Sequence, residues 1–366
     1  VMHRPLPDGS IYAYMTFCNA DRLDSVALNY FGKKVMHWQM QEKIDTCARA
    51  LLAYGVCSGD AVSLCVLAMP EAVYLLYAIN KIGAIANMLV MNATEAEIHE
   101  KLAVTESKIV ITVDLALEKI LQASKETPVK HIIGISLAES MPCVIGTLYK
   151  WKSKVKQKNC ISFSGFLKAG QGQNIEYPEI KADEPAVIAY TGGTTGKAKG
   201  VLLSNRAANV IAFQYKYAGR LLNPKKGETF LDIIPPFLAY GLFFSIHMVL
   251  CVGLENILCP NPAPEQFPQL FLKYKPNYLS GGPLHMEAMI NNNQIQKMKL
   301  SFAKSVAYGG DGMSKEWEEK ISHFLREHHA PYGVMKGYGM TEMAAPVCIS
   351  GCLGNEMIPL FCNNVK

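Results

Sequence analysis

The densest group of chemistry-bearing residues is the run Tyr190-Thr191-Gly192-Gly193-Thr194-Thr195-Gly196-Lys197-Ala198-Lys199-Gly200. Glycines let consecutive backbone N–H groups converge on an anion, threonine hydroxyls add donors, and lysines neutralise phosphate charge. The run sits between the apolar segments Ala186–Ala189 and Val201-Leu202-Leu203, as a turn between extended segments would. A plain Gly-rich surface turn is the competing reading, and the density of donors weighs against it. The run is not a Walker loop: Gly196-Lys197 is followed by Ala198, and the position five before Gly196 is Thr191. Kinase or GTPase chemistry is thereby disfavoured.

Further on stands Gly337-Tyr338-Gly339-Met340-Thr341-Glu342. An aromatic ring beside two glycines can stack on a base, a Thr hydroxyl can reach a phosphate oxygen, and a carboxylate can hold the Mg²⁺ that ATP brings. Taken alone, the hexapeptide is equally a turn with a helix-capping Thr. Ala307-Tyr308-Gly309-Gly310-Asp311-Gly312-Met313 is a Gly-rich strand end that, taken alone, is as much a plain strand-to-helix turn, and Pro235-Pro236-Phe237-Leu238-Ala239-Tyr240-Gly241-Leu242 opens an apolar stretch.

The run at 190–200 resembles, position for position, the signature of the adenylate-forming superfamily of acyl-CoA ligases, luciferases and peptide-synthetase adenylation domains, with Ala198 where Pro is usual. Gly337–Glu342 is similar to that family's Gly-Tyr-Gly-x-Thr-Glu block, in the expected order and distance. Ala307–Met313 lies where the family has one wall of its adenine slot, and Pro235–Leu242 resembles the segment bordering the acyl pocket, with Leu238 where many relatives carry His. The resemblance covers nearly the whole chain, since Trp38–Gly55 and Gly59-Asp60-Ala61-Val62 also fit. The passage 351–366 looks like the start of a region that relatives continue into a ribose-binding Asp, a hinge and a small C-terminal domain with a catalytic Lys. The expectation is therefore an N-terminal portion without that domain.

The resemblance implies an α/β fold: two αβα-layered lobes with mostly parallel sheets, one at about 61–222, the other from about 1–60 plus 228–350. ATP would lie in the crevice between them. It implies activation of a carboxylic acid by ATP to an acyl-adenylate and transfer to CoA, with ATP, Mg²⁺ and CoA as cofactors, and ATP/AMP, a small carboxylic acid and CoA as partners. Catalytic roles fall to Lys199, Thr341 and Glu342, with Glu342 on the metal. Nucleotide contacts fall to Thr191, Gly192, Gly193, Thr194, Thr195, Gly196, Lys199, Gly309, Gly310, Asp311, Gly337, Tyr338, Gly339 and Thr341. The acid's pocket takes Phe237, Leu238, Tyr240, Gly281 and Gly282. Amino-acid adenylation domains of peptide-synthetase type usually carry an Asp in this segment for the substrate ammonium. Here no acid occurs between Asp232 and Glu255, and burying an ammonium without a counter-charge is costly. A neutral, apolar acid is the better substrate; the amino-acid reading and a nucleotide-binding module without catalysis remain as alternatives.

The elements that must position these residues alternate between strand and helix. Ala61–Ala68 reads as a strand followed by a helix over Pro70–Ile85, with Pro in the first turn. Before it, Ile44, Ala48, Leu51 and Leu52 form one helical face ending at Gly55. Further strands are expected at Lys108–Val113, Val187–Tyr190, Phe230–Ile234 and Ser305–Tyr308, and helices at Arg206–Tyr217 and Lys315–Arg326, the last capped by Ser314. Such alternation implies parallel sheets covered by helices. Breaks between lobes are expected near 176–184 and 222–228, where Pro, Gly and charge cluster.

Composition narrows the class. The chain has 366 residues, half of them apolar, enough for more than one packed lobe. Its net charge of +5 is spread among interleaved acids and bases, which argues against nucleic acid as the main ligand. Eleven dispersed cysteines without a Cys-x-x-Cys pair read as reduced thiols of a cytoplasmic protein. The uncharged stretch Ile233–Leu254 is long enough to span a bilayer, but Pro235-Pro236, Gly241, Ser245 and His247 favour a buried strand, loop and core helix, and no integral membrane segment is expected. Lysines at every second position from 150 to 158 read as a solvated loop or Lys-guarded edge strand rather than a membrane-surface or nucleic-acid strip.

Overall fold

The computed structural model describes residues 6–152, 159–172, 176–191, 198–217, 224–260, 262–350 and 357–359. Two sheets organise them. The first has seven strands in the spatial order Ile161–Ser162, His131–Ile135, Ile109–Val113, Ala61–Cys65, Ile85–Met88, Pro185–Tyr190 and Gly200–Ser204, parallel throughout except for the final antiparallel pair. The second has nine strands, with Tyr278–Gly281, Ser305–Tyr308 and Met335–Met340 side by side and parallel. Its far edge comes from the start of the chain, Val26–Tyr30 and Lys33–Met36.

Most expected elements form where the apolar pattern places them. Ser305–Tyr308 is a strand, fully buried as a parallel strand covered on both faces must be. Lys315–Glu327 is a helix whose first turn is closed by the Ser314 hydroxyl accepting from the Trp317 N–H at 3.3 Å. Helix His37–Ala53 buries Met40, Ile44, Cys47, Ala48 and Leu51, and ends before Gly55, whose φ is +78°. It packs on Pro70–Lys81 and Phe163–Ala169, so this N-terminal helix covers the first sheet although the strands just before it join the second.

Three expectations need correction. The helix from Pro70 stops at Lys81, and Ile85–Met88 is a strand; Gly83 at φ +76° makes the turn, and an apolar run through a doubly covered strand looks like the continuation of a buried helix. The stretch 176–184 does not separate lobes, because Pro185–Tyr190 pairs with Ile85–Met88 in the first sheet. Lys150–Lys152 belong to a helix, Cys143–Lys152, rather than to a loop or edge strand; residues 153–158 lie outside the described part.

The uncharged stretch is interior. Thr229–Asp232 is a strand; Tyr240–Met248 then winds as a π-helix, continues as Val249–Val252 and stops at Gly253, φ +86°. Among the described residues no helix is long and apolar enough to cross a membrane. His247, fully buried on the π-helix, meets the Tyr77 hydroxyl at 3.0 Å through Nδ1 and Asn209 Oδ1 at 3.1 Å through Nε2, which ties helices over the first sheet to the second lobe.

Candidate active site

Strand Pro185–Tyr190 ends in the phosphate-loop candidate, and the loop is closed at its base. Thr191 N donates to Lys199 O at 3.0 Å, and Lys199 N donates to Thr191 Oγ1 at 3.2 Å. Gly192, Gly193, Thr194, Thr195 and Gly196 lie outside the described residues. Tyr190 anchors the loop from below: its hydroxyl donates to Asn87 Oδ1 at 2.8 Å, and Asn87 Nδ2 donates to Ser63 Oγ at 2.8 Å. Losing Asn87 would strand a buried hydroxyl at a cost of about 1–3 kcal/mol. Lys101 Nζ stands 4.1 Å over the Tyr190 ring, in the wall of a cavity of about 370 Å³ shared with Ala198 and Gly200. Lys199 itself is exposed.

The second group gathers at the carboxyl ends of three adjacent parallel strands. Register pairs Gly281 with Tyr308 and Tyr308 with Lys336, so Gly309 and Gly337 stand side by side one residue past Gly281, and the three glycines form a staggered row. Gly309 N donates to Gly281 O at 3.2 Å. A β-carbon on Gly309 would lie 3.1 Å from Gly337 O and 3.5 Å from the Tyr240 hydroxyl. Tyr240 is fixed in turn: its hydroxyl bonds Ser280 Oγ, and its ring stacks on Phe244 at 5.3 Å. Burial pushes the Tyr240 hydroxyl up to about 12, so it stays protonated. Behind the row, Glu318 accepts from Lys336 Nζ at 2.7 Å and from the Tyr308 hydroxyl. Burial would raise the Glu318 carboxyl, but these two donors outweigh it and hold it below its ordinary value.

Beyond Gly337 the chain turns over. Tyr338 is 58% exposed, its ring free to meet a ligand. Gly339 allows no side chain, because a β-carbon there would sit 2.5 Å from Ala345 O of the antiparallel partner Ala345–Ser350. Thr341–Met343 make one 3₁₀ turn, ended by Ala344 at φ +59°. Thr341 is half-buried and Glu342 exposed. Strand Gly200–Ser204, which follows the loop at 190–200, packs against this turn. Lys199, Thr341 and Glu342 are thus carried by touching elements of the two sheets. Among the described residues no cluster of three or more His, Cys, Asp or Glu could hold a metal alone; a single carboxylate fits Mg²⁺ that takes its other oxygens from phosphates and water. Gly310, at φ +87°, and Asp311 are exposed just past the row.

On the expected acyl side the placement is uneven. Tyr240 reaches the glycine row, and Gly281 is walled by Ile233, His285 and Met286, whose atoms lie 3.2–3.3 Å from its would-be β-carbon. Phe237 is half-buried and packs against the core, Leu238 is 39% exposed, and Gly282 caps helix Pro283–Ile290. Gly241 is required by contact, since its β-carbon would fall 2.1 Å from Pro235 O.

Sequence reasoning did not single out Lys101, Glu318 or, above all, Asp232. Asp232 is fully buried at the end of Thr229–Asp232; Oδ1 accepts from Ile234 N at 3.1 Å, and among the described residues Oδ2 meets no donor in hydrogen-bond geometry. Burial raises its carboxyl well above the ordinary range, and the Ile234 N–H and Asn256 side chain offset this only in part. Its position at the edge of the acid-free stretch was the only signal in the sequence.

Comparison with known proteins agrees on one family. The profile of the AMP-binding enzyme family matches residues 17–361. The chain is 28% identical over 352 residues to a long-chain-fatty-acid–CoA ligase of Bacillus subtilis, covering 94% of this chain and 61% of that protein. It is 28% identical over 307 residues to a 4-coumarate–CoA ligase of Humulus lupulus, covering 84% of this chain and 52% of that protein. The chain thus spans about half to three fifths of the length of these relatives. Among solved structures, an anthranilate CoA ligase bound to anthranoyl-AMP superposes with a TM-score of 0.79 at 17% identity, covering 95% of this chain and 63% of that one. A long-chain-fatty-acid-CoA ligase of Archaeoglobus fulgidus gives 0.79 at 19%, covering 96% and 68%. At those identities the superpositions establish the fold.

Proposed function

Because this chain belongs to the AMP-binding enzyme family, we propose that it is the nucleotide- and acid-binding portion of an acyl-CoA ligase, which activates an apolar carboxylic acid with ATP. The carboxylate attacks the α-phosphorus of ATP, the α–β phosphoanhydride bond breaks, and pyrophosphate leaves. In the whole protein the thiol sulfur of CoA then displaces AMP from the acyl-adenylate.

Positioning and charge neutralisation carry such a step. Lys199 and the loop hydroxyls would hold the β and γ phosphates, Thr341 an α-phosphate oxygen, and Tyr338 the base. Glu342 would hold Mg²⁺, whose contribution when bound is neutralisation of phosphate charge. The purine would lie along Gly309 and Gly337, and the acid toward Tyr240 and Gly281.

The observation that carries this reading is the glycine row with Tyr240 at the strand ends, beside the turn that touches the strand following the loop at 190–200. Ligands of open parallel sheets bind at strand carboxyl ends. The acid-free stretch supports a neutral acid tail, and burial disfavours the charged form of Asp232 at its edge, which makes it a poor partner for an ammonium. The nine described cysteines are all unpaired, which supports a reducing, cytoplasmic setting.

A panel of non-hydrolysable acyl-adenylate mimics tests the substrate class by thermal shift, since a ligand at a hundredfold excess over Kd stabilises by about 2.7 kcal/mol. Alkyl and aryl mimics should stabilise the chain more than aminoacyl ones. Preference for an aminoacyl mimic would replace this reading with an amino-acid adenylation domain.

A further inference from the structure

Helices Ile11–Cys18, Asn205–Tyr217 and Val249–Val252 pack against one another, and each brings a reactive side chain to the junction. Cys18 ends the first and is 3% exposed; Cys251 lies on the third and is fully buried. Lys216 comes from the last turn of the second. Residues beside the two cysteines are bonded directly: Asn19 Nδ2 donates to Leu250 O at 3.0 Å, and to Met15 O at 2.8 Å. The two thiols lie within hydrogen-bond reach of each other, and Cys251 Sγ stands 3.8 Å from both ring nitrogens of His247. The pair therefore shares the junction that His247 makes with Tyr77 and Asn209.

Their surroundings divide the roles. The Cys251 contact and the Lys216 ammonium lower the Cys18 thiol to about 6 against the opposing effect of burial, whereas burial and the neighbouring Cys18 raise Cys251 well above the ordinary range. A thiolate held beside a second thiol is the arrangement of a redox-sensing cysteine with its resolving partner. We propose that Cys18 and Cys251 are a reversible redox pair, closed by a small hydroperoxide and reopened by thiols, that ties helix Ile11–Cys18 to the helical segment begun by Tyr240. The Cys18 sulfur attacks one oxygen of hydrogen peroxide, the O–O bond breaks, and the departing oxygen takes the thiol proton and leaves as water. Cys18 is then a sulfenic acid. The Cys251 sulfur attacks the Cys18 sulfur, the S–O bond breaks, and hydroxide leaves with the Cys251 proton as a second water. Each sulfur gives up one electron, and the peroxide takes both. A thiol reductant reverses the bridge by exchange. This does not depend on the ligase reading.

Brief treatment of the whole 366-residue chain with hydrogen peroxide, followed by alkylation and non-reducing peptide mapping, tests it. The peptides of Cys18 and Cys251 should appear linked, dithiothreitol should part them, and the link should raise the melting temperature by roughly 5 °C, because it closes a long loop of the unfolded chain. Cys251→Ala should leave Cys18 carrying added oxygen in place of the link, and Cys18→Ala should leave Cys251 reduced. Oxidation confined to the exposed Cys57 and Cys143, a link that forms only after unfolding in urea, or a link that does not raise the melting temperature would overturn the proposal.

Discussion

The carbonyl oxygen of Gly337 lies 3.1 Å from the point where a β-carbon on Gly309 would stand. A side chain at 309 would therefore crowd that carbonyl and be pushed into the surface proposed for the purine. Gly309→Val should weaken binding of an alkyl-adenylate mimic by at least roughly tenfold, ~1.4 kcal/mol, as read by calorimetry on protein whose fold is checked by circular dichroism. A folded Gly309→Val chain that binds like the parent would place the base elsewhere.

Lys199 is exposed, and its proposed duty concerns only the phosphates that leave. Lys199→Met should lower affinity for Mg·ATP by about tenfold, the scale of one charge-assisted contact. Affinity for an adenylate mimic lacking the β and γ phosphates should hardly change. Equal loss for both ligands would assign the lysine to the α-phosphate or to structure instead.

Buried groups set opposing pH dependences. His247 and His37 are lowered by burial to about 3 and about 4, His37 also by Arg22. Unfolding lets them take protons below ~6.5, so their contribution is lost as pH falls through that range. Asp232 is raised well above its ordinary value, and Glu71 to about 7, both chiefly by burial. Their contribution is present below ~4 and is lost as pH rises toward the folded values. Between roughly pH 5 and 6 the two pairs nearly cancel. Asp232→Asn keeps the shape, can serve the unpartnered Asn256 Oδ1, and removes one ionisation. It should be more stable than the parent near pH 7, with stability that falls on acidification by about 1.4 kcal/mol per pH unit more steeply. Urea melts at several pH values measure this; equal slopes would mean Asp232 is ionised in the native state.

Gly241 is held by backbone contact rather than by a ligand. Gly241→Ala must displace Pro235 O, 2.1 Å from the new carbon, and should cost more than ~2 kcal/mol, whereas Gly312→Ala, with nothing within 4 Å, should be nearly neutral. Thermal melts of the two variants check the contrast.

Local signals carried much of the fold. Ser305–Tyr308, the Ser314 cap and the stop before Gly55 are written in contiguous residues, and the structure follows them. The strand Ile85–Met88 was hidden because an apolar segment buried on both sides has no period that separates it from the helix before it. Alternating lysines mimicked an edge strand where the backbone is helical at 150–152. Glycines at 281, 309 and 337 were legible through the motifs that contain them; a β-carbon would be crowded at 281 and 309 and would make only ordinary contact at 337. The Tyr190–Lys101 stack, the Tyr240–Ser280 bond and the buried Asp232 depend on partners brought together by topology, which linear spacing does not encode.

The central claim is that one site, formed by the glycine row, Tyr240 and the loop at 190–200, holds the acyl-adenylate. Calorimetric titration of the 366-residue chain with a non-hydrolysable alkyl-adenylate mimic tests it most directly. The account predicts one saturable site that Mg·ATP competes for and that Gly309→Val weakens. Absence of saturable binding by a folded chain, or binding that Mg·ATP leaves untouched, would contradict it.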